Sequence, residues 1–201
     1  MVRNRSPKHK LSRREGKDLF GTGGASLQRR LEQPPGLHGR KPGRHRESEY
    51  NRQLREKQKV KRMYGMHETQ FLRFFSIARR QRGITGLTLL RLLERRLDNV
   101  IYRLGLARSR PQARQFVSHG LVTVDGKKVN IPSFLVLPGQ EIGMKDNAMK
   151  IPDVMELREA KPPVPGWLEP GNQGGVVLRE PNREEIDSDI EEQRIVEFYS
   201  R

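Results

Sequence analysis

The chain has 201 residues, of which 33% are hydrophobic, and it contains no cysteine. That length fits one or two small domains, and the missing cysteines exclude disulfides, thiol catalysis and thiolate metal sites. A net charge of +16 indicates a polyanionic partner, either a nucleic acid or a membrane surface. Because no apolar run of about 18 residues, signal peptide or lipidation motif occurs, we expect an intracellular, soluble chain without a membrane partner.

The positive charge is concentrated in the first two thirds of the chain. The net charge is +13 over residues 1–65 and +9 over residues 66–130, whereas residues 131–201 carry −6. The chain has 28 arginines and 12 lysines, and this excess of arginine favours forked contacts with phosphate and stacking on bases. We therefore expect RNA contacts in the first two thirds and protein contacts in the acidic last third.

Residues 1–46 show little periodicity and are interrupted by prolines and glycines. We interpret them as an extended basic arm. One short helical turn is predicted at residues 12–15, where Ser12 and Glu15 have the spacing of a capping box. A disordered tail has the same composition and is the alternative.

Two amphipathic helices follow the arm. The first begins at an N-cap, Ser48, and runs to about Tyr64. The second spans about residues 68–82, and its phenylalanines have the helical spacing of a bundle core rather than of a base-stacking surface. We expect a small helical domain over residues 47–91, completed by the C-terminal segment 176–201.

The central stretch, residues 92–131, predicts two helices and a hairpin. A long helix that begins at Thr85 or Thr88 and ends before Gly105 carries one apolar stripe. A second helix begins at Ser109, which opens an S-x-x-Q capping box. Two short strands then flank Asp125-Gly126, a strong two-residue hairpin signal.

The polar side of this helical pair is basic. If both helices pack their apolar stripes inward, the cations turn outward together and match the phosphate oxygens of folded RNA. A solvated charged face is the alternative. RNA binding is predicted for Arg95, Arg96, Arg103, Arg108, Arg110, Arg114, Lys127 and Lys128.

The rest of the chain predicts a sheet and a linker. Residues 134–137, 141–144 and 148–151 are strand-like and, with the hairpin, predict a small antiparallel sheet behind the two helices. Residues 161–175 have the proline and glycine content of a linker, which Trp167 is expected to pin to a domain surface. The predicted fold class is α+β, with a basic arm, a helical domain, and a helix-turn-helix-like pair packed on the sheet.

Several segments carry a family resemblance. The run ERRLDNVIYRLGLARSRPQARQFVSHGLVTVDGKKVNIPS resembles the S-four RNA-binding domain, and more narrowly its form in the bacterial-type small-subunit ribosomal protein S-four family. The segments LSRREGKDLF, SEYNRQLREKQKVKRMYG, WLE and RIVEFYSR are similar to other parts of that family, so the resemblance covers nearly the whole chain. It implies an S-four RNA-binding domain over residues 92–160.

Many members of that family bind zinc through four cysteines near the N-terminus. Here His9 and Ser12 occupy the first two of those positions and the later pair is also missing, so the chain resembles a cysteine-free, zinc-less variant. His9, His38 and His45 lack the spacing of metal ligands. No metal and no cofactor are therefore predicted.

The resemblance implies a non-enzymatic structural constituent of the small ribosomal subunit in the cytoplasm. Such a protein binds small-subunit ribosomal RNA directly at a multi-helix junction and nucleates assembly of the subunit body. It contributes to the messenger-RNA entry channel, contacts the neighbouring ribosomal protein S-five, affects translational accuracy, and has no small-molecule substrate.

Two other functions are weighed against this one. An autogenous translational repressor that binds its own messenger is the alternative. An RNA-modifying enzyme is disfavoured, because its catalytic domain would need a few hundred further residues.

The remaining predicted site residues lie outside the central stretch. RNA binding is also predicted for Arg13, Arg14, Arg52, Arg55 and Lys59. Contact with messenger RNA at the entry channel is predicted for Arg40, Lys41, Arg44 and Arg46. Contact with a protein partner is predicted for Ile195, Val196, Phe198 and Tyr199.

Overall fold

The computed structural model describes residues 6–21, 23–36 and 48–200. The chain forms two compact units: unit 1 comprises Met1–Ser76 with Asp189–Arg201, and unit 2 comprises Ile77–Ser188. The division predicted from the sequence falls between residues 91 and 92 and places all of 176–201 in the helical domain. That division rests on the sequence and stays a prediction.

Unit 1 is helical in the described part of the chain. Its helices are α1 (Lys8–Glu15), α2 (Ala25–Gln28), α3 (Glu49–Met63), the greater part of α4 (Glu68–Arg80) and α10 (Glu192–Tyr199). As predicted, Ser48 caps α3, because its hydroxyl accepts a hydrogen bond from the amide of Asn51 at 3.3 Å. Helix α10 packs along α3, so the end of the chain completes unit 1.

The predicted capping box at residues 12–15 is wrong. Helix α1 begins after Pro7, so Ser12 lies inside the helix, and its buried hydroxyl accepts a hydrogen bond from the amide of Leu19. The helix ends at Gly16, whose φ of 66° allows the left-handed conformation that closes it. The arm is therefore folded here rather than extended, while residues 37–47 lie outside the described residues.

Unit 2 contains a helical pair whose first member is shorter than predicted. The expected long helix is divided into α5 (Thr85–Glu94) and α6 (Leu97–Arg103). The backbone at Arg95 and Arg96 leaves the helix and pairs with residues 134–136: Val136 donates to the carbonyl of Arg95 at 2.9 Å, and Leu97 donates to that of Phe134 at 2.8 Å. Strand-like pairing thus interrupts the helix at these two residues.

Helix α7 (Arg110–Ser118) packs against α6 and contributes Ala113, Phe116 and Val117 to the core of unit 2. The predicted capping box at its start is absent, because Ser109 makes no capping hydrogen bond with its side chain. The side-chain oxygen of Gln112 instead accepts a hydrogen bond from the amide of Arg108 at 2.7 Å.

The sheet of unit 2 is antiparallel and has five strands. They are β1 (Val122–Val124), β2 (Lys127–Lys128), β3 (Glu141–Met144), β4 (Leu168–Pro170) and β5 (Gly174–Val177), in the order β2-β1-β3-β5-β4. The hairpin between β1 and β2 turns at Asp125 and Gly126, which both have positive φ, as the Asp-Gly pair predicts. The fold is α+β, and the predicted fold class is confirmed.

Two predicted strands are wrong. Residues 134–137 contribute one isolated bridge, between Arg96 and Leu135. Residues 148–151 lie at and after α8 (Asp146–Met149), which precedes α9 (Pro152–Ala160). Both segments are apolar and short, and periodicity cannot distinguish a strand from other buried structure at that length.

The segment predicted as a linker forms part of the sheet. Residues 161–175 include β4 and the start of β5, and Trp167 is fully buried in the core of unit 2 (0% exposed). Glycine allows this close strand pairing. A Cβ on Gly174 would lie 1.8 Å from the carbonyl oxygen of Ile142, and one on Gly175 would lie 2.5 Å from that of Glu169.

Candidate nucleic-acid interface

Four of the predicted RNA-binding arginines surround two buried carboxylates in unit 2. The first carboxylate, Glu94, is at the end of α5 and is 0% exposed. Arg103 forms a bidentate pair with it, in which Nε donates to Oε2 at 2.9 Å and Nη2 donates to Oε1 at 2.8 Å. The amide nitrogen of Asn99 donates to the same carboxylate at 2.8 Å. Glu94 therefore fixes two side chains of α6.

The second carboxylate, Asp98, lies in the first turn of α6 and is also buried. Arg96 forms a fork with it, Nε to Oδ1 at 3.0 Å and Nη2 to Oδ2 at 2.6 Å, and Arg114 of α7 approaches it to 3.5 Å. Arg96 is only 1% exposed. The prediction that these arginines turn outward together is thus wrong for Arg96, because its charge is needed to neutralise Asp98 inside the unit.

Arg110 lies between the two carboxylates. Its Nε donates to the side-chain oxygen of Asn99 at 2.7 Å, and its Nη2 is 4.0 Å from Glu94. Its guanidinium also lies over the ring of Tyr102, 4.7 Å from the centroid. These contacts leave the planar group in one orientation at the surface of the helical pair.

We call Glu94, Asp98, Asn99, Arg96, Arg103, Arg110 and Arg114 the arginine cluster. Its four arginines and two carboxylates leave a net charge of +2. Arg103, Arg110 and Arg114 keep a partly exposed edge. A guanidinium has five N–H donors, so one that is held by a carboxylate can still present donors to a phosphate. In the cluster, two buried carboxylates orient arginines whose remaining positive charge lies at the surface.

The other predicted cations of unit 2 have different surroundings. Arg95 donates to the carbonyl of Val136 at 2.9 Å and pairs with Glu180 at 2.5 Å. Arg108 is exposed and pairs with Asp153 and Glu156 of α9. Both therefore contribute to contacts within the unit.

Lys127 and Lys128 of β2 are exposed and form no ion pair with any described residue. A Cβ on Gly120 would lie 2.2 Å from Cε of Lys128, so the lysine side chain extends across that glycine. The two lysines and Arg108 are the exposed cations among those predicted in the central stretch.

In unit 1, three of the five predicted RNA-binding cations stabilise the unit itself. Arg13 donates to the carbonyls of residues 30, 33 and 34 at 3.0–3.3 Å. Arg55 pairs with Glu15 at 2.7 Å, and Lys59 pairs with Glu56 at 2.8 Å. Arg14 and Arg52 are exposed instead.

The predicted protein-contact residues also lie largely inside unit 1. Ile195 is 0% exposed, and the ring of Tyr199 is 4.6 Å from that of Phe75. The ring of Phe198 is 5.7 Å from that of Tyr50, while Val196 is half-buried. The apolar stripe of α10 is thus used within the unit, and its burial leaves little of it for a partner.

Tyr199 connects α10 to α4 through Glu68, to whose carboxylate its hydroxyl donates at 2.9 Å. Burial raises the pKa of Glu68, but hydrogen bonds from Lys57, Lys61 and Tyr199 outweigh it and lower the pKa from 4.5 to about 2. Burial, and then the neighbouring Glu68 carboxylate, raise the pKa of the Tyr199 hydroxyl. Glu68 therefore stays ionised and Tyr199 protonated at neutral pH.

The four residues predicted at the messenger entry channel, Arg40, Lys41, Arg44 and Arg46, lie outside the described residues. Within the described ranges, no group of His, Asp and Glu side chains could hold a metal ion, and no helix has the length and apolarity that crossing a bilayer requires.

Sequence reasoning missed the acidic half of the arginine cluster. Glu94, Asp98 and Asn99 were not predicted as site residues, yet they position the arginines of the cluster. The sequence signal for this role was their spacing, because Asp98 and Asn99 follow Glu94 by four and five positions across the boundary between α5 and α6. Four exposed arginines outside the predicted site were also left unassigned: Arg73, Arg79, Arg80 and Arg82.

The fold and the site define a class of basic α+β proteins that contain an S4 domain. A family model described as "S4 domain" matches residues 95–142, which include α6, α7 and the hairpin. A second model, "Ribosomal protein S4/S9 N-terminal domain", matches residues 3–94.

Curated relatives identify the particular family. The chain is 51% identical to a small ribosomal subunit protein uS4 of Herpetosiphon aurantiacus. It is 49% identical to proteins with the same name from Natranaerobius thermophilus and Halothermothrix orenii. Each comparison covers 100% of both chains. The chain belongs to the small ribosomal subunit protein uS4 family. Because this is a family of ribosomal proteins rather than enzymes, the prediction of a non-enzymatic protein is confirmed.

Proposed function

We propose that the chain is a structural constituent of the small ribosomal subunit in the cytoplasm, where it binds small-subunit ribosomal RNA directly. The names of its full-length relatives support the location, and the net charge of +16 supports an RNA partner. The exposed cations described above are available for contact with phosphate.

The arginine cluster is the observation that carries this proposal. A free arginine loses rotamer entropy when it grips a phosphate, and that loss weakens binding. Glu94 and Asp98 order Arg103, Arg110 and Arg114 before RNA arrives. The surplus charge of +2 then attracts phosphate to guanidinium groups whose planes are already set.

A fixed set of guanidinium groups favours one arrangement of RNA over its competitors. Phosphates from several RNA helices approach one another at a junction and repel, and oriented cations there stabilise the converged form. We therefore place the binding site at a multi-helix junction. By the same reasoning the protein nucleates assembly of the subunit body.

Three further roles belong to the proposal. The basic segment that contains Arg40, Lys41, Arg44 and Arg46 contributes to the messenger-RNA entry channel. The acidic last third contacts the neighbouring protein S-five, because carboxylates repel phosphate and suit a protein partner better. That contact influences translational accuracy.

The exposed lysines of β2 give the clearest test of RNA binding. In the double variant Lys127→Gln/Lys128→Gln, the fold should persist, because neither side chain is buried. If both lysines contact phosphate, the slope of log affinity against log salt should become shallower by roughly 1.4–1.8, at 0.7–0.9 per contact. The measurement is a salt titration of binding to small-subunit ribosomal RNA.

A matched control removes two other exposed lysines of unit 2, in Lys145→Gln/Lys150→Gln. This variant has the same net charge and should keep the wild-type slope. Equal slopes for both double variants and the wild type would show that β2 does not contact the RNA.

The arginine cluster is tested by Arg110→Lys, which keeps the charge but removes the planar fork and the stacking on Tyr102. Affinity for ribosomal RNA should fall while the salt slope stays the same. An unchanged affinity would place the RNA on a different surface.

A further inference from the structure

Unit 1 contains a cleft between α1 and α3 that shares no residue with the arginine cluster. Its volume is about 370 Å³, which falls within the size range of small-molecule sites. Four of its lining side chains are cationic: Lys10, Arg14, Arg55 and Arg62. The described residues that line the cleft include no carboxylate.

Two of these cations are held in place by one buried carboxylate. Arg55 and Arg62 both pair with Glu15, whose side chain is only 3% exposed. Arg55 also reaches the carbonyl of Arg14 at 3.5 Å, which connects α3 to α1. The guanidinium groups are therefore ordered before a ligand arrives, and one buried carboxylate balances only one of the four charges.

Crowding of like charge is visible at Arg62. Burial lowers the pKa of its guanidinium, Glu15 raises it, and the neighbouring charges of Arg55 and Arg14 lower it again. Lys10 and Arg14 are exposed and pair with no carboxylate among the described residues. An anion in the cleft would relieve this repulsion.

The other wall of the cleft is apolar and consists of Pro7, Leu11 and Leu54, with Gln58 beside it. A bare phosphate would fill a small part of the volume and leave this wall unused. A flat base fits better, because bases pack on apolar surfaces and stack on guanidinium planes. The side-chain amide of Gln58 can both donate and accept hydrogen bonds.

We propose that the α1–α3 cleft binds one nucleoside monophosphate unit, with its phosphate against Lys10, Arg14, Arg55 and Arg62 and its base against the apolar wall. The nucleotide comes either from solution or from a single-stranded segment of RNA, and its chemistry is the same in both cases. The cleft belongs to unit 1, so the proposal does not depend on RNA binding by the arginine cluster of unit 2.

The test is calorimetric titration of the full-length protein with adenosine monophosphate, guanosine monophosphate and inorganic phosphate. At least one nucleotide should bind more tightly than phosphate, because only the nucleotide covers the apolar wall. In Lys10→Gln/Arg14→Gln, nucleotide affinity should fall by about tenfold or more, since two charge-assisted contacts are lost. Neither side chain is buried, so the variant should keep the wild-type thermal melt.

The matched control is Arg29→Gln/Arg30→Gln, which removes two exposed cations of unit 1 that do not line the cleft. It should bind nucleotide like the wild type. The proposal is overturned if the wild type binds no nucleotide, if nucleotide and phosphate bind equally, or if the two double variants lose affinity equally.

A competition arm identifies the source of the nucleotide. A single-stranded hexanucleotide RNA that displaces the bound monophosphate shows that the cleft accepts a nucleotide within RNA. If the hexanucleotide does not displace it, the cleft is specific for free nucleotides. The salt slope of the β2 lysine variant is a separate measurement. A cleft that binds no nucleotide would therefore not contradict RNA binding by the chain, and an unchanged salt slope would not contradict nucleotide binding in the cleft.

Discussion

Glu68 of unit 1 and Glu94 of unit 2 each lie between two cations, which are lysines at Glu68 and arginines at Glu94. In unit 1, Lys57 and Lys61 both donate to Glu68 at 2.6 Å. In unit 2, the buried Glu94 faces Arg103 in a two-bond fork and Arg110 at 4.0 Å. The first site joins helices, and the second orients charge at a surface.

The chemistry of the two side chains explains the difference. An ammonium is a compact point charge on a flexible stem, and the one on Lys57 also lies over the ring of Phe198, 4.5 Å from its centroid. A guanidinium is a rigid plane, so a carboxylate that holds one edge fixes the direction of the other. Lysine thus suits a contact that only joins helices, and arginine suits one that also presents charge to a partner.

The largest effect should follow from loss of a buried carboxylate. Glu94→Gln leaves Arg103 and Arg110 without their counter-charge, and breaking a buried pair costs about 3–5 kcal/mol. The free energy of unfolding of unit 2 can be followed by the fluorescence of Trp167, because it is the one tryptophan of the chain and is buried in that core.

Glu180→Gln is the matched control for this variant. Glu180 also pairs with an arginine, Arg95, but its side chain is 44% exposed. Exposed pairs contribute up to about 1 kcal/mol, so the control should shift the denaturation midpoint far less. Similar shifts in the two variants would show that Glu94 does not act as a buried counter-charge.

A smaller effect should follow from a change of cation in the same place. Arg103→Lys keeps the charge beside Glu94 but replaces two hydrogen bonds with one. A hydrogen bond to a charged group contributes about 1.5–3 kcal/mol, so unit 2 should lose about that much. Urea unfolding followed by Trp167 fluorescence measures the loss. Full stability in this variant would mean that the fork geometry is unimportant.

The smallest effect should be the dependence of unit 1 on Glu68. Its pKa is lowered from 4.5 to about 2, so the ionised form stabilises the folded state. This contribution is present above pH 4.5 and disappears as the pH falls towards 2. Because the side chain is 45% exposed, solvent screening limits the contribution to about 1 kcal/mol.

Glu68→Gln should remove that part of the acid dependence and leave the rest unchanged. Helical circular dichroism between pH 5 and 2 measures it in the full-length chain. Lys57→Gln serves as a second variant, since it removes one of the two cations that lower the pKa of Glu68. Identical acid transitions in the wild type and in both variants would contradict this assignment.

Local signals in the sequence predicted the elements that depend on neighbouring residues. Ser48 caps α3, and Asp125-Gly126 turns the hairpin, because capping and turn geometry are set within about four residues. The α+β class and the RNA-binding family were also predicted, since apolar periodicity and motif residues are properties of the sequence.

Long-range contacts decided what local patterns could not. The helix break at Arg95 and Arg96 requires pairing with residues 134–136, about forty positions away. The burial of Trp167 and the strand at residues 168–170 likewise depend on β5. A local pattern predicts helix or linker for such segments. It does not include the distant strand whose hydrogen bonds stabilise the extended conformation.

By itself, the sequence determined the net charge, the family and the amphipathic stripes that make two helices pack. Only the tertiary structure decided which arginines form contacts within the fold and which stay exposed. The physical reason is that a buried carboxylate must be neutralised where the fold places it, as Asp98 is neutralised by Arg96 and Arg114. The position of that carboxylate in space is not encoded in the local spacing of charges.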